Sequence, residues 1–531
     1  MKRADFLNEA TVRAAKQAAK TSANPARPRA ARERAPAPVP AAHPEALVAF
    51  MMRDWAPRED AVVPRDHVDV FRARRQKLSQ RFRGDLLVIP TGHEKTRAND
   101  TTYRFRPGSD FFYLTGNLEP DCVLVLAPNA RGGHDHVLFV EPNPGRSDKT
   151  FFTDHAKGEL WVGPRLGVKE SARRFGFRHA RGLPELAAFL TTESKKLSKK
   201  KRARVRVLTG FSSSLDAFLG RPHRHSESAR GDLCAAPNVG DAELAGFLSE
   251  LRLIKDELEI AELEQVTRST KRAFEDVIVA LATARTEREV EGTFNLRARV
   301  LGNDVGYGTI AASGANACIL HWTRNDAPLS RRDLLLLDAG VEGHQLYTAD
   351  ITRTLPISGK FTPAQREVYD LVCRAQKAAL GAVKPGNDFM EPNRRAQRVL
   401  AEGLVAMGIL ENAERALAAD QQLQKRYTLH NTSHMLGIDV HDCAKARNEV
   451  YRYGKLQPGM VLTVEPGLYF QPDDLTVPKK YRGIGVRIED DVLVTETGMR
   501  NLSGSIPRDA EAVERWMATL WSRRKKKPAA R

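Results

Sequence analysis

HNTSHMLGIDVHD, residues 430–442, sets His430, His434 and His441 within thirteen positions, among apolar neighbours and beside Asp439 and Asp442. The spacing HNTSH puts His430 and His434 on one face whether the local period is 2 or 3.6. Gly437 then allows a bend that returns His441 toward the same pocket. A lone histidine in such a setting is more often a hydrogen-bonded core residue than a ligand. The reading therefore turns on which carboxylates meet these imidazoles.

Working outward, four acids stand on or beside strands. Asp338 ends LLLLDAG, and Asp350 lies on the next strand across a turn containing Gly343. A strand, turn, strand arrangement can bring these two side by side. Like charges on apolar strands repel and lose hydration unless a cation neutralises them. Glu465 ends VLTVEPG. Glu489 follows GVRI, where Val486 and Ile488 face one side and Arg487 and Glu489 the other. Hydrophobic residues precede each acid and pin it to a rigid element. DAG or EPG alone is a weak signal, and the force lies in the order Asp338, Asp350, His434, Glu465, Glu489. Four acids and one imidazole make a hard, oxygen-rich set suited to two divalent ions with shared carboxylates, and the lack of cysteine disfavours a structural zinc site.

The 531 residues imply two or more domains. Apolar runs such as 334–337 and 122–127 are strand-length, far short of the roughly 20 residues that span a bilayer, so no membrane association is expected. Five cysteines without CxxC spacing read as reduced thiols in a cytoplasmic protein. The net charge of +18 suggests nucleic acid until it is located. Residues 1–40 carry nine Lys/Arg against three acids, and RRKKKPAAR at 523–531 adds six more. These ends and the surface cluster KKLSKKKRAR (195–204) read as solvated, with no specific nucleic-acid partner. Nonspecific polyanion contact, or a transit role for the N-terminal tail, are the alternative readings.

Along the chain, residues 1–45 read as a disordered basic Ala/Pro-rich tail and 46–245 as an α/β domain. In the latter, DHVDVFRARRQKLSQRF and LPELAAFLTTESKKL are expected to be helices. DLLVIPTG, FFYLTGN, CVLVLAP and DHVLFVEP are expected as strands with turns. Residues 246–508 read as an α+β domain. It opens with one long helix over LIKDELEIAELEQVTRSTKRAFEDVIVALA and a second ended by Gly302, followed by strands and hairpins. A helix capped by Thr362 comes next, then one over 390–407, a mobile acidic-to-basic segment, and a last strand set. Residues 509–531 read as a helix and basic tail.

Six stretches together resemble the Xaa-Pro aminopeptidases (aminopeptidase P), metallopeptidases with a creatinase-like pita-bread catalytic fold. They are YRFRPGSDFFYLTGNLEPDCVLVL, SGANACILHW, DITRTLPISGKFTPAQREVYDLV, HNTSHMLGIDVHD, PGMVLTVEPGLY and YRGIGVRIEDD, and the resemblance covers roughly 65–505. It implies Asp338, Asp350, His434, Glu465 and Glu489 as ligands of two divalent ions, Mn²⁺ first, with Co²⁺ or Zn²⁺ as alternatives. It implies catalytic roles for His321, His441 and Glu465, and substrate contacts from His430, Arg487, Tyr307 and Trp161. Arg487 would orient Glu465 or Glu489. Trp161 would serve the neighbouring subunit's site, hence a homodimer or homotetramer. The implied reaction is hydroxide attack, from between the ions, on the bond before a proline in second position. Glu465 would pass the proton to the proline nitrogen, and His321 and His441 would hydrogen-bond the developing oxyanion and the carbonyl beyond. An Xaa-Pro dipeptidase shares the fold and ligands, but DITRT and the N-terminal block favour the aminopeptidase. A non-catalytic binding module of the same fold would have lost ligands. The stretch VEGHQLYTA is one residue longer than the family's usual hairpin, and Gly343–His344 are expected to absorb the insertion without shifting either strand.

Overall fold

Asp256 caps a helix that runs Glu257–Leu281, its carboxylate accepting from Glu259 N–H while the Glu259 side chain returns to the Asp256 amide. The computed structural model describes residues 43–56, 62–199, 203–221 and 238–526. Residues 253–256 of the expected long helix therefore stay outside it, because the cap fixes where the ladder starts. Val266, Ala273, Phe274, Val277, Ile278 and Leu281 recur at helical spacing and bury against the strand Leu334–Ala339 and the helices Glu287–Leu301 and Pro363–Ala382. Thr362 is the expected N-cap of Pro363–Ala382, where it forms a capping box with Gln365, and Glu391–Ala406 is likewise a helix.

The strand Leu334–Ala339 pairs antiparallel with Ile351–Pro356 and with Ile310–Ser313. Leu335, Leu337, Ala339, Ile351 and Leu355 face the helices, while Asp338, Thr352 and Thr354 alternate to the opposite face. The register continues past the strands, since Ala349 N–H donates to Val341 O, Glu342 bridges Thr348, and Gly343 N–H donates to Tyr347 O. Leu346 N–H closes the turn on Gly343 O, and Leu346 itself takes the left-handed conformation at φ 65°. This is a three-residue hairpin loop whose left-handed position is usually glycine. Both strand registers are intact as expected, but Leu346, and not Gly343–His344, takes the strained conformation. Its buried side chain, packed with Leu263, Leu436 and Val461, holds it there.

The first half carries a five-stranded mixed sheet in the order His179–Gly182, His134–Val140, Val123–Pro128, Leu86–Pro90, Val205–Val207. FFYLTGN is not a strand: Ser109–Thr115 is a helix ended by Gly116 at φ 67°. It is buried on nearly every side, so its apolar run lacks the periodicity that separates helix from strand. The acidic-to-basic segment after residue 407, expected to be mobile, contains the helix Ala413–Leu417 and a 3₁₀ turn, Leu423–Arg426. The helix Ala510–Lys526 runs on through the basic residues 523–526. The N-terminal tail and residues 527–531 lie outside the described residues, as does part of the 195–204 cluster.

By packing, Asp60–Asn143 and Leu166–Arg531 form one unit, while Met1–Glu59 and Pro144–Arg165 form another. The larger unit spans both stretches separated in sequence at 245/246. One apolar cluster there joins Leu78, Phe111 and Leu124 to Leu346, Leu436 and Val461, and Arg74 reaches Asp256 at 2.8 Å and Glu259 at 3.3 Å. In the smaller unit Trp55 meets Phe151 edge-on at 5.3 Å. Trp161 is 54% exposed, and its indole N–H donates to Phe152 O at 2.7 Å.

Candidate metal centre

The segment around His434 runs beside the strand Val461–Val464. Thr463 N–H donates to His434 O, Glu465 N–H to Thr432 O, and Leu436 N–H to Val461 O. This pairing places the His434 ring next to Glu465, with Nε2 3.3 Å from Glu465 Oε1 and 3.3 Å from Asp350 Oδ2. The strand Gly485–Arg487 aims Arg487 at the same space while Val486 enters the core, and Glu489 follows on the same side. One ligand atom each of Asp350, His434 and Glu489 lies within 4.8 Å of the others. Asp338 joins them through Tyr307, whose hydroxyl lies 2.7 Å from Asp338 Oδ1 and also hydrogen-bonds Asp350. All these groups line one cleft of ≈ 800 Å³, together with His321, His430 and His441.

The electrostatics are those of crowded carboxylates. Burial first, then repulsion from Asp350, Glu465 and Asp338, pushes Glu489 well above its ordinary range. Burial raises Asp338 although Arg487 opposes it, and burial lifts Glu465 to about 7 against the pull of His434. Burial would also raise Asp350, but the hydrogen bond and charge of His434 hold it low. In return, burial pulls His434 down, and Asp350 and Glu465 outweigh it and lift the imidazole to about 9. Such a set gathers negative charge where water cannot solvate it and offers oxygen donors with one imidazole nitrogen. The residues present thus fit hard or borderline divalent cations.

The three histidines of 430–442 differ in their partners. His430 Nδ1 contacts Asn431 O at 2.9 Å and Nε2 contacts Tyr469 Oη at 2.8 Å, while Arg487 donates to that same hydroxyl at 2.8 Å. The chain runs Arg487 to Tyr469 to His430, so His430 accepts at Nε2 and is neutral. Burial and the Arg487 charge hold it down at about 4. His441 stands edge-on to His434, ring centres 4.5 Å apart, and is exposed to the cleft, as is His321.

Arg487 donates to Asp338 Oδ2 at 2.6 Å, because its strand packs against Leu334–Ala339, and it reaches Glu489 through Thr352, to whose hydroxyl its Nε donates at 3.3 Å. Trp161 belongs to the smaller unit. Three supporting groups escaped the sequence. Asp491 accepts from Asp350 N–H at 3.2 Å, Thr352 donates to Glu489 at 2.6 Å, and Tyr469 serves His430. Period-2 alternation could have found Thr352, two residues beyond Asp350 on the same face.

Residues 261–496 match metallopeptidase family M24, and residues 71–201 match the N-terminal domain of aminopeptidase P. Xaa-Pro aminopeptidase 1 of Streptomyces coelicolor is 52% identical over 84% of this chain and 87% of its own length. The Xaa-Pro aminopeptidase of Escherichia coli is 36% identical over 84% of this chain and 97% of its own. The structure of E. coli aminopeptidase P with the inhibitor Pro-Leu superposes with a TM-score of 0.74 at 34% identity, covering 87% of this chain and 100% of that one.

Proposed function

The chain belongs to metallopeptidase family M24, among its Xaa-Pro aminopeptidases, and we propose how its cleft releases the N-terminal residue from peptides with proline second. The observation that carries the proposal is the convergence of acids and an imidazole from five separate stretches on one cleft, with Asp350, His434 and Glu489 close enough to share an ion.

Asp338, Asp350, His434, Glu465 and Glu489 would hold two divalent ions. With His434 neutral as a ligand, four carboxylates against the single guanidinium of Arg487 leave three negative charges, which two divalent ions offset and one does not. The oxygen-rich set suits Mn²⁺, with Co²⁺ or Zn²⁺ as alternatives. Bound there, the ions supply a water activated at neutral pH and positive charge for the scissile carbonyl oxygen.

The protein's own groups do the rest. The substrate's free α-amino group would sit beside the ions that these carboxylates hold, which restricts cleavage to one residue. Glu465, 3.3 Å from His434 and 3.6 Å from His430, takes the proton of the attacking water on its carboxylate and delivers it to the prolyl nitrogen. That nitrogen belongs to a tertiary amide with no hydrogen of its own, so it leaves only when protonated. His441 and His321 line the cleft and would donate to the substrate oxygens that gain charge. Tyr307 and Arg487 hold Asp338, and His430 is fixed by Tyr469 and Asn431.

A homodimer or homotetramer is the assembly that Trp161 supports through its resemblance to a residue shared between subunits. Among the described residues Cys318, Cys373 and Cys443 form no disulfide, in keeping with a cytoplasmic location. Among the described residues no helix is long and apolar enough to cross a membrane. The test compares an Xaa-Pro-Yaa tripeptide with the dipeptide Xaa-Pro, before and after chelation. The tripeptide should be cut before proline, the rate should vanish with the metal, and Mn²⁺ should restore it. Preference for the dipeptide would reassign the protein as a prolidase.

A further inference from the structure

We propose that a second pocket, entered past His441, is a cationic subsite that binds a carboxylate on the downstream part of the substrate. The proposal rests on the aminopeptidase reading above. The pocket has a volume of ≈ 610 Å³, within the range of ligand sites, and His441 and Ala444 line both it and the catalytic cleft. The two spaces are thus neighbours across the imidazole that faces the substrate.

Four basic side chains line this pocket against two acids, Asp110 and Asp439. Two of the four are committed. Arg106 holds Glu342 at 2.6 Å and Ile438 O at 2.7 Å, and Arg252 pairs with Asp442 at 3.1 Å and Asp439 at 3.3 Å. The other two, Lys95 and Lys445, are exposed and make no ion pair among the described residues. The buried wall atoms without a hydrogen-bond partner are Thr91 Oγ1, Arg252 Nε and Nη1 and the acceptor Asp110 Oδ1, and Arg252 Nη1 faces Asp110 Oδ1 at 3.5 Å.

Polarity gives the direction. An exopeptidase acting at the amine end places the free amine beside the ions, and the rest of the chain leaves past the histidines. An extended peptide advances about 3.3–3.6 Å per residue, so residues beyond proline reach new walls quickly. Beyond His441 the free charges are positive. The metal end of the site therefore meets the amine, and the lysines beyond His441 meet a carboxylate, from an acidic side chain or from the chain terminus.

The experiment uses the metal-loaded enzyme and a series Xaa-Pro-(Ala)n, n from one to six. Each position after proline is replaced in turn by Glu or Lys, and each peptide is made with a free and an amidated C-terminus. The readout is the ratio of kcat/KM for Glu against Lys at one position within each enzyme, which cancels any general loss from mutation. At one downstream position wild type should favour Glu by about fivefold or more, through KM, and salt should weaken the preference. Lys95→Glu with Lys445→Glu should abolish or invert that ratio. If amidation alone removes the preference, the ligand is the chain-end carboxylate; if it does not, the ligand is the side chain. Equal rates for Glu and Lys at every position, or a preference unchanged in the double variant, overturn the subsite. Failure to cleave any Xaa-Pro peptide would instead overturn the aminopeptidase reading.

Discussion

His434 and His441 lie with their rings 4.5 Å apart, yet the structure gives them opposite surroundings. His434 is wedged between Asp350 and Glu465, whereas His441 makes no carboxylate ion pair among the described residues and opens to the cleft. Replacing each by alanine should separate the two roles. His434→Ala should lower both bound metal and rate, with partial rescue by excess Mn²⁺. His441→Ala should keep its metal and lose about a hundredfold in turnover, ~3 kcal/mol for one donor to a developing oxyanion. Metal loss and Mn²⁺ rescue in His441→Ala would make it a ligand and refute the division. The grouping of the histidines was legible from their spacing. The pinning of His430 was not, because Tyr469 lies 39 positions downstream and only strand pairing brings its hydroxyl within 2.8 Å.

At the level of elements, one hairpin sets the distance between two of the carboxylates. Asp338 stands opposite Thr352, and the continued register sets Asp350 opposite Gly340, so the two acids are diagonal neighbours on one face. The glycine of DAG has a steric reason, since a Cβ at Gly340 would overlap the carbonyl oxygen of Ala349 and also press on Thr348. Gly340→Ala must part the strands where Asp350 is held. It should reduce metal occupancy and activity at least tenfold, with Tm also lowered because the backbone has no room to yield. Normal metal content and rate in that variant would show that the hairpin does not fix the site. The paired strands were readable from their apolar runs and Gly-containing turn. Ser109–Thr115 was not, because burial on nearly all sides erases the pattern that tells helix from strand.

Across the whole molecule, the sheets fall on one side or the other of the 245/246 boundary read from sequence, yet one apolar cluster crosses it, because burial joins residues that sequence cannot show to be neighbours. The candidate centre has the same long-range nature. Its groups come from two hairpin strands, the 430–442 segment, the end of Val461–Val464 and the stretch after Gly485–Arg487. Ions bound there would fasten five stretches of the folded chain that are far apart in the unfolded one. Binding to the folded state alone stabilises by about 2.7 kcal/mol when free ion exceeds Kd a hundredfold. In ion-free buffer the sign reverses for Glu489, because its charge is buried among Asp350, Glu465 and Asp338 and is pushed well above its ordinary pKa. Glu489→Gln removes that repulsion but also removes a donor. In chelator its Tm should equal or exceed that of wild type, and in Mn²⁺ wild type should overtake it by a few degrees. The check is a thermal melt of both proteins in both buffers. A wild type more stable by the same margin with and without Mn²⁺ would mean that Glu489 acts in packing, and that the carboxylates are not assembled at the expense of stability to receive a cation.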